Sequence, residues 1–149
     1  MKKNKISEAK VVYKNKVKPS ERLTISTSKD CYKAFLTVFN EDTIELKESM
    51  KALFLNNANQ ALAFITISDG GTDSTPMDIR QIMQCALLVN AKRLILCHNH
   101  PSGDVTPSIE DIAVTYNVRK ACDVMGIELI EHLIISSDDY FSFVGKGLM

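Results

Sequence analysis

The sequence predicts a mixed α/β domain in three layers, with a central mixed sheet flanked by helices. Three observations carry that prediction. Apolar runs at Glu48–Leu55, Ala61–Ser68, Arg93–Cys97 and Ile127–Ile135 have the length and composition of strands. Between them lie stretches whose apolar residues recur at helical spacing, so strands and helices interleave along the chain. With 45% of its 149 residues hydrophobic, the chain has enough apolar surface to bury one core.

Composition narrows the function classes. No apolar run approaches the roughly twenty residues of a membrane span, so no membrane partner is expected. Met1-Lys2-Lys3-Asn4-Lys5 resembles the charged start of a signal peptide, but no apolar segment follows it, and a secretory leader is not expected. The four cysteines, Cys31, Cys85, Cys97 and Cys122, are widely spaced, which suits small buried hydrophobes in a reducing cytoplasm. The net charge of zero hides an asymmetry: residues 1–18 carry seven lysines against one acid, Glu8. Residues 1–19 are therefore read as a basic N-terminal arm and residues 20–149 as the folded domain. The arm is expected to be a solvated tail that makes weak nucleic-acid contact at most.

Taken in order, Val11-Val12-Tyr13 is a short apolar patch read as an edge strand fringed by lysines, and Pro19-Ser20 punctuates. Ser28 is read as the N-cap of a helix whose core stripe is Cys31, Ala34, Phe35 and Val38, with Asn40-Glu41-Asp42 ending it. Glu48–Leu55 and Ala61–Ser68, joined by a turn over Asn56–Asn59, form an antiparallel hairpin closed by Asp69-Gly70-Gly71. Thr75-Pro76 opens the next helix, with proline suited to its first position. Ile79, Ile82, Met83, Ala86 and Leu87 trace its buried stripe, and it ends near Asn90-Ala91. The Arg93–Cys97 strand follows. Beyond the next helix, marked by Ile112, Thr115, Val118, Arg119 and Cys122 and stopped by Gly126, come a strand at Ile127–Ile135, a turn at Ser136–Asp139 and a last strand at Tyr140–Val144.

The chemistry gathers after Leu94-Ile95-Leu96. Strand alternation points His98 and His100 the same way, as two ligands of one metal must point, and aims Cys97 to the other face. Pro107-Ser108 then opens a helix in which Ser108 is a good N-cap and Asp111 falls at N3, beside the positive end of the dipole. Either feature alone is ordinary, a polar strand end or a capping box. Together they bring two imidazoles and a carboxylate to one place, with a fourth tetrahedral position left for water, the pattern of a catalytic zinc. His98-Asn99-His100 also spells the name of a nuclease motif, but that motif's residues are spread along a ββα unit, so the reading is rejected. A zinc deaminase needs His-x-Glu and Cys-x-x-Cys, and this chain has no Cys-x-x-Cys.

His98-x-His100-Pro101 followed by Ser108-x-x-Asp111, with ten residues between His100 and Asp111, resembles the JAMM motif of the JAB/MPN metalloprotease domain. The run His98-Asn99-His100-Pro101-Ser102-Gly103-Asp104 resembles the RadC-like branch in particular, from about Ser20 to the C-terminus. The resemblance implies a three-layer, cytidine-deaminase-like fold and a zinc site of His98, His100 and Asp111. It implies that Ser108 stabilises the tetrahedral intermediate and that a glutamate on an earlier strand acts as general acid and base. Glu48 is the residue that lines up, ahead of Glu45 and Glu41. His132 is read by parity with Glu128 and Ile130, as a satisfied structural histidine or else a partner behind a ligand.

The leading expectation is a zinc-dependent hydrolase of a peptide, isopeptide or related amide bond. A DNA-associated accessory protein of RadC type is the second reading, resting on the basic arm. The helix-hairpin-helix region usual in full-length RadC proteins has no counterpart in this sequence. A non-catalytic MPN interaction module is the third, and retention of Glu48, His98, His100, Ser108 and Asp111 argues against it.

Overall fold

The computed structural model describes residues 5–70 and 77–149. Among the described residues, three α-helices, α1 (Ser28–Leu36), α2 (Ile79–Leu88) and α3 (Ile109–Val124), alternate with five strands. The strands are β1 (Ser49–Leu55), β2 (Ala61–Asp69), β3 (Arg93–Asn99), β4 (Glu128–Ile135) and β5 (Tyr140–Ser142). They form one sheet in the order β2-β1-β3-β4-β5. β3 and β4 are parallel and joined through α3, as a parallel pair needs a crossover; the other neighbours are antiparallel. This is the mixed, helix-flanked sheet the sequence predicts.

The sheet separates two cores. On one face, Ala52, Phe54, Leu94 and Leu96 pack with Ile82, Met83 and Ala86 of α2 and Val118 and Cys122 of α3. On the other, Leu53, Leu55, Ile95, Cys97, Leu133 and Ile135 meet Cys31, Ala34 and Phe35 of α1. β1 and β3 are thus covered on both faces, which is why they read as nearly continuous apolar runs. Phe54, Leu94 and Leu96 are fully buried, and burying each stabilises the fold by roughly 1.5–3 kcal/mol. The central strands, not the edges, anchor the sheet.

Several boundaries differ from expectation. Residues 11–13 form no strand; Val11 and Val12 are exposed, and the side chains of Tyr13 and of nearby Asn15 hydrogen-bond to β2, each 3.0 Å from the Leu62 carbonyl. An isolated patch of three residues has too few ladder hydrogen bonds to hold it as an edge. Thr27, not Ser28, caps α1: its hydroxyl accepts the Asp30 N–H while the Asp30 carboxylate accepts the Thr27 N–H. Ser28 instead donates to Glu131 at 2.7 Å. The start assigned to Thr75-Pro76 lies outside the described residues; α2 has Asp78 as its N-cap. β5 stops at Ser142, two residues short of Val144, where the chain enters a turn whose Gly145 N–H bonds to Ser142 Oγ.

The largest departure is in β4. A β-bulge between the pairs Leu94↔Leu129 and Ile95↔Glu131 leaves Ile130 without a partner. Ile130 and Glu131 both lie on the α1 face, Ile130 against the α1-side core and Glu131 accepting Ser28 Oγ. The extra residue reverses the alternation beyond it. His132 therefore faces α3, opposite in sense to Glu128 and Ile130, and the parity assigned from sequence is corrected. Glu131 is held in place by four donors: Ser28 and Ser142 hydroxyls on Oε2, at 2.7 Å each, and the His132 and Val144 N–H groups on Oε1, at 3.0 and 3.2 Å.

Candidate metal centre

β3 extends through Asn99, two residues beyond the apolar run, because Met50 and Lys51 of β1 and Leu133 to Ile135 of β4 continue to pair with it. His98 thus ends fully buried on the α3 face. His100 follows just past the strand, its N–H bonded to the Ile135 carbonyl at 3.0 Å. The chain then turns at Gly103, whose φ of 83° lies in the left-handed region that favours glycine, and whose N–H returns to the His100 carbonyl. This turn brings α3 back over the strand end. Ser108 and Asp111 cap the helix reciprocally, Asp111 N–H to Ser108 Oγ at 3.1 Å and Ser108 N–H to Asp111 Oδ2 at 2.7 Å.

His98, His100 and Asp111 meet there. Nε2 of His98 lies 3.1 Å from Nε2 of His100 and 3.1 Å from Asp111 Oδ1, and His100 Nε2 lies 3.5 Å from Asp111 Oδ2. The donor atoms all fall within 4.8 Å of one another, and the three side chains could hold a metal ion. Each is aimed by a neighbour. The Nδ1 of His100 faces the Asp104 carbonyl at 2.7 Å, and a carbonyl can only accept, so Nδ1 carries a proton and a neutral His100 would offer a metal its Nε2. The Asp111 carboxylate is bound to the Ser108 N–H.

Charge at the site follows from these contacts. Burial works against ionising Asp111, but hydrogen bonds from His100 and His98 outweigh it and hold the carboxyl well below its usual range. The Asp111 hydrogen bond raises His100 above an ordinary histidine against the pull of burial, and the Asp104 carbonyl and the charges of Asp111 and Glu48 add to it. His132 goes the other way. Burial, aided by His98, pushes it well below the ordinary value and keeps it neutral.

The sequence names two further residues. Ser108 sits at the mouth of the site with its oxygen accepting the Asp111 N–H, which leaves its own proton free. Glu48 is exposed, one residue before β1. Its carbonyl accepts the Gly70 N–H at 2.9 Å, which extends the β1–β2 ladder past Ser49. The β1–β3 pairing ends with Met50 opposite His98; carried two residues further, the same register would set Glu48 opposite His100, and the charge of Glu48 acts on His100. Glu45 points elsewhere and accepts the Ser137 hydroxyl at 2.8 Å.

Sequence reasoning missed two supporting residues, Asn99 and Thr115, and gave a place behind a ligand as one of two readings of His132. Asn99, between the histidines, faces the opposite side of the sheet and binds the segment leading into β1. His132 Nε2 lies 3.0 Å behind His98 Nδ1, and Thr115 Oγ1 lies 2.6 Å from His132 Nδ1. The residue-level signal for Asn99 was its place between two candidate ligands; for Thr115 there was none, and for His132 the role was offered but its direction was not, because a bulge decides it. Cys97 is fully buried in the α1-side core, away from the cluster, as alternation predicts.

Comparison with known proteins agrees with this arrangement. The profile of the RadC-like JAB domain matches residues 25–148. The chain is 36% identical over 124 residues to a UPF0758 protein of Flavobacterium johnsoniae, covering 83% of this chain and 53% of that protein. To a UPF0758 protein of Fusobacterium nucleatum it is 34% identical over 141 residues, covering 93% and 61%. To one of Porphyromonas gingivalis it is 43% identical over 104 residues, covering 69% and 46%. The chain spans about half the length of these curated relatives. The matched region contains the whole His98, His100 and Asp111 cluster and the sheet that builds it, and the chain belongs to the RadC-like JAB domain family.

Proposed function

We propose that this chain is a zinc-dependent hydrolase of a peptide, isopeptide or related amide bond, with zinc held by His98, His100 and Asp111. The observation that carries the reading is the spacing of the three donors. Ligands about 2.0–2.2 Å from a tetrahedral zinc stand roughly 3.3–3.6 Å apart; here His98 Nε2 lies 3.1 Å from His100 Nε2 and from Asp111 Oδ1, His100 Nε2 lies 3.5 Å from the other carboxylate oxygen, and one donor atom from each residue falls within 4.8 Å of the others. The donor set, two imidazole nitrogens and one ionised carboxylate, suits zinc and leaves one position open. Bound there, zinc would supply Lewis-acid polarisation of a substrate carbonyl and would lower the pKa of a water from about 16 to near 7.

The chain's own residues supply the rest. Glu48 accepts the water proton on its carboxylate and returns it to the leaving amine nitrogen, a role that needs reach to the site without ligating the metal. The register of β1 on β3, carried two residues past Met50 and His98, supports that reach, as does the action of the Glu48 charge on His100. Ser108 keeps its hydroxyl proton free to donate to the oxygen that gains charge as the carbonyl is attacked. The Ser108 N–H bonded to Asp111 Oδ2 favours the ionised carboxylate, the form that ligates. A reducing, cytoplasmic setting belongs to the same reading, since all four cysteines are free. Among the described residues no helix is long and apolar enough to cross a membrane.

The test is Glu48→Gln, which preserves shape and removes the basic oxygen. Zinc content should stay at the wild-type value while hydrolysis of a screened amide or isopeptide substrate falls by roughly 10²–10⁴. Glu45→Gln should remain active. An active Glu48→Gln with a dead Glu45→Gln would move the role to Glu45, and two active variants would sink the mechanism.

A further inference from the structure

Behind the candidate ligands lies a file of side chains that the proposed chemistry does not use. Thr115, in the second turn of α3, donates its hydroxyl to the Asp111 carbonyl at 2.7 Å. The same oxygen lies 2.6 Å from His132 Nδ1, and His132 Nε2 lies 3.0 Å from His98 Nδ1. Thr115 is 3% exposed and His98 and His132 are fully buried, so water does not compete for these groups. His132 also stacks on Phe143, ring centroids 4.5 Å apart at 12°, which fixes the plane of its ring.

We propose that Thr115 and His132 are positioning residues that hold His98 in the one tautomer able to ligate the metal, a proposal that rests on the zinc reading above. The protons can be followed one by one. The Thr115 proton is directed at a carbonyl, so its oxygen accepts toward His132. His132 Nδ1 then carries a proton, and its Nε2, with only a lone pair, accepts from His98 Nδ1. His98 is left with its proton on Nδ1 and its lone pair on Nε2, the atom that faces His100 and Asp111. A metal-ligating histidine commonly donates its second N–H to a carboxylate, a carbonyl or water. Here it donates to a second imidazole, and the file ends on the backbone of Asp111, itself a ligand. Two of the three ligands are thereby tied to each other through β4. The β4 bulge makes this possible, because without it His132 would face α1.

Thr115→Val removes the hydroxyl at nearly constant shape and frees His132 to put its proton on Nε2. That proton would compete for His98 Nδ1 and favour the wrong tautomer. The expected result is a 10–100-fold loss of zinc affinity by competition with a chelator of known affinity, with the far-UV circular dichroism of the metal-free chain unchanged. Thr115→Ser should restore wild-type affinity. In the zinc-loaded wild-type chain, long-range ¹H–¹⁵N correlation of the histidine rings should show the His132 proton on Nδ1. Wild-type affinity in folded Thr115→Val, or a His132 proton on Nε2 in the loaded wild type, overturns the proposal while leaving the metal site standing. A wild-type chain that binds no zinc overturns the metal reading and this proposal with it.

Discussion

The side-chain oxygen of Asn99 accepts the backbone N–H of Ser49 at 2.8 Å, so the residue between the two candidate ligands grips the strand start that carries Glu48. The amide of the same side chain donates to the Ile44 and Lys47 carbonyls at 2.7 and 2.8 Å. Asn99 is fully buried and its partners lie on the face away from His98 and His100. One side chain thus couples the ligand strand to the segment that sets Glu48.

Asn99→Ala should leave one N–H and two carbonyls in the interior without partners. Each such group costs roughly 1–3 kcal/mol, and partial access of water relieves some of that, so a loss of at least about 2 kcal/mol is expected in urea unfolding. In the folded fraction zinc content should hold while turnover drops, because Glu48 and not the ligand set loses its anchor. An Asn99→Ala chain of wild-type stability and rate would show that the grip has no consequence.

Purified protein should carry about one zinc per chain, and His100→Ala should lose tight binding, since three ligands with an open position become two. Elemental analysis of fresh protein decides it. A wild-type chain without zinc, or a His100→Ala chain with its full complement, would contradict the ligand set.

The thiols give a pH prediction away from the site. Burial, with the charge of Glu131 adding, pushes Cys31 up to about 12; burial, with Asp123 adding, does the same for Cys122. Cys97, fully enclosed, is raised well above its ordinary value by burial. In the folded chain these three stay protonated where unfolded thiols ionise near about 8.5. The folded state then holds protons that the unfolded state gives up, so stability is retained below about pH 8.5 and declines as pH rises from there toward 12. At pH 8 a thiol reagent should label Cys85 alone at an appreciable rate, and all four cysteines in urea; two or more fast thiols in the native chain would be the contrary result.

For the arm, we propose that residues 1–19 add only sequence-independent contact with nucleic acid. The described lysines of this segment are exposed, and its one acid forms only a weak surface pair, Lys10 to Glu8 at 3.8 Å. Binding of duplex DNA should weaken steeply with salt, by about 0.9 in log–log slope per phosphate neutralised, and vanish on deletion of residues 1–18. Salt-tolerant, sequence-specific binding by the truncated chain would instead favour a DNA-associated role.

What the sequence determined by itself was everything set by local chemistry and short spacing. The four long runs with strand composition became strands, the helical stripes supplied the sheet-facing residues of α1, α2 and α3 apart from Leu87, Ile112 and Arg119, which are exposed, and the Ser108-x-x-Asp111 cap formed as written. The convergence of His98, His100 and Asp111 was legible too, because a strand end, a short turn and a helix start leave those side chains little freedom. Boundaries slipped where neighbouring residues competed for one role, as Thr27 and Ser28 did for the cap of α1. Tertiary structure alone decided which way His132 points. Alternation in an unbroken strand puts it with Ile130, but the buried Glu131 carboxylate takes four donors from α1, β5 and the adjoining backbone, and the strand bulges at Ile130 to let it. That demand comes from residues more than a hundred positions away as well as from near neighbours, and no local pattern encodes it. The same bulge turns His132 onto His98, so the support behind the candidate metal centre exists only once α1, β4 and β5 have packed.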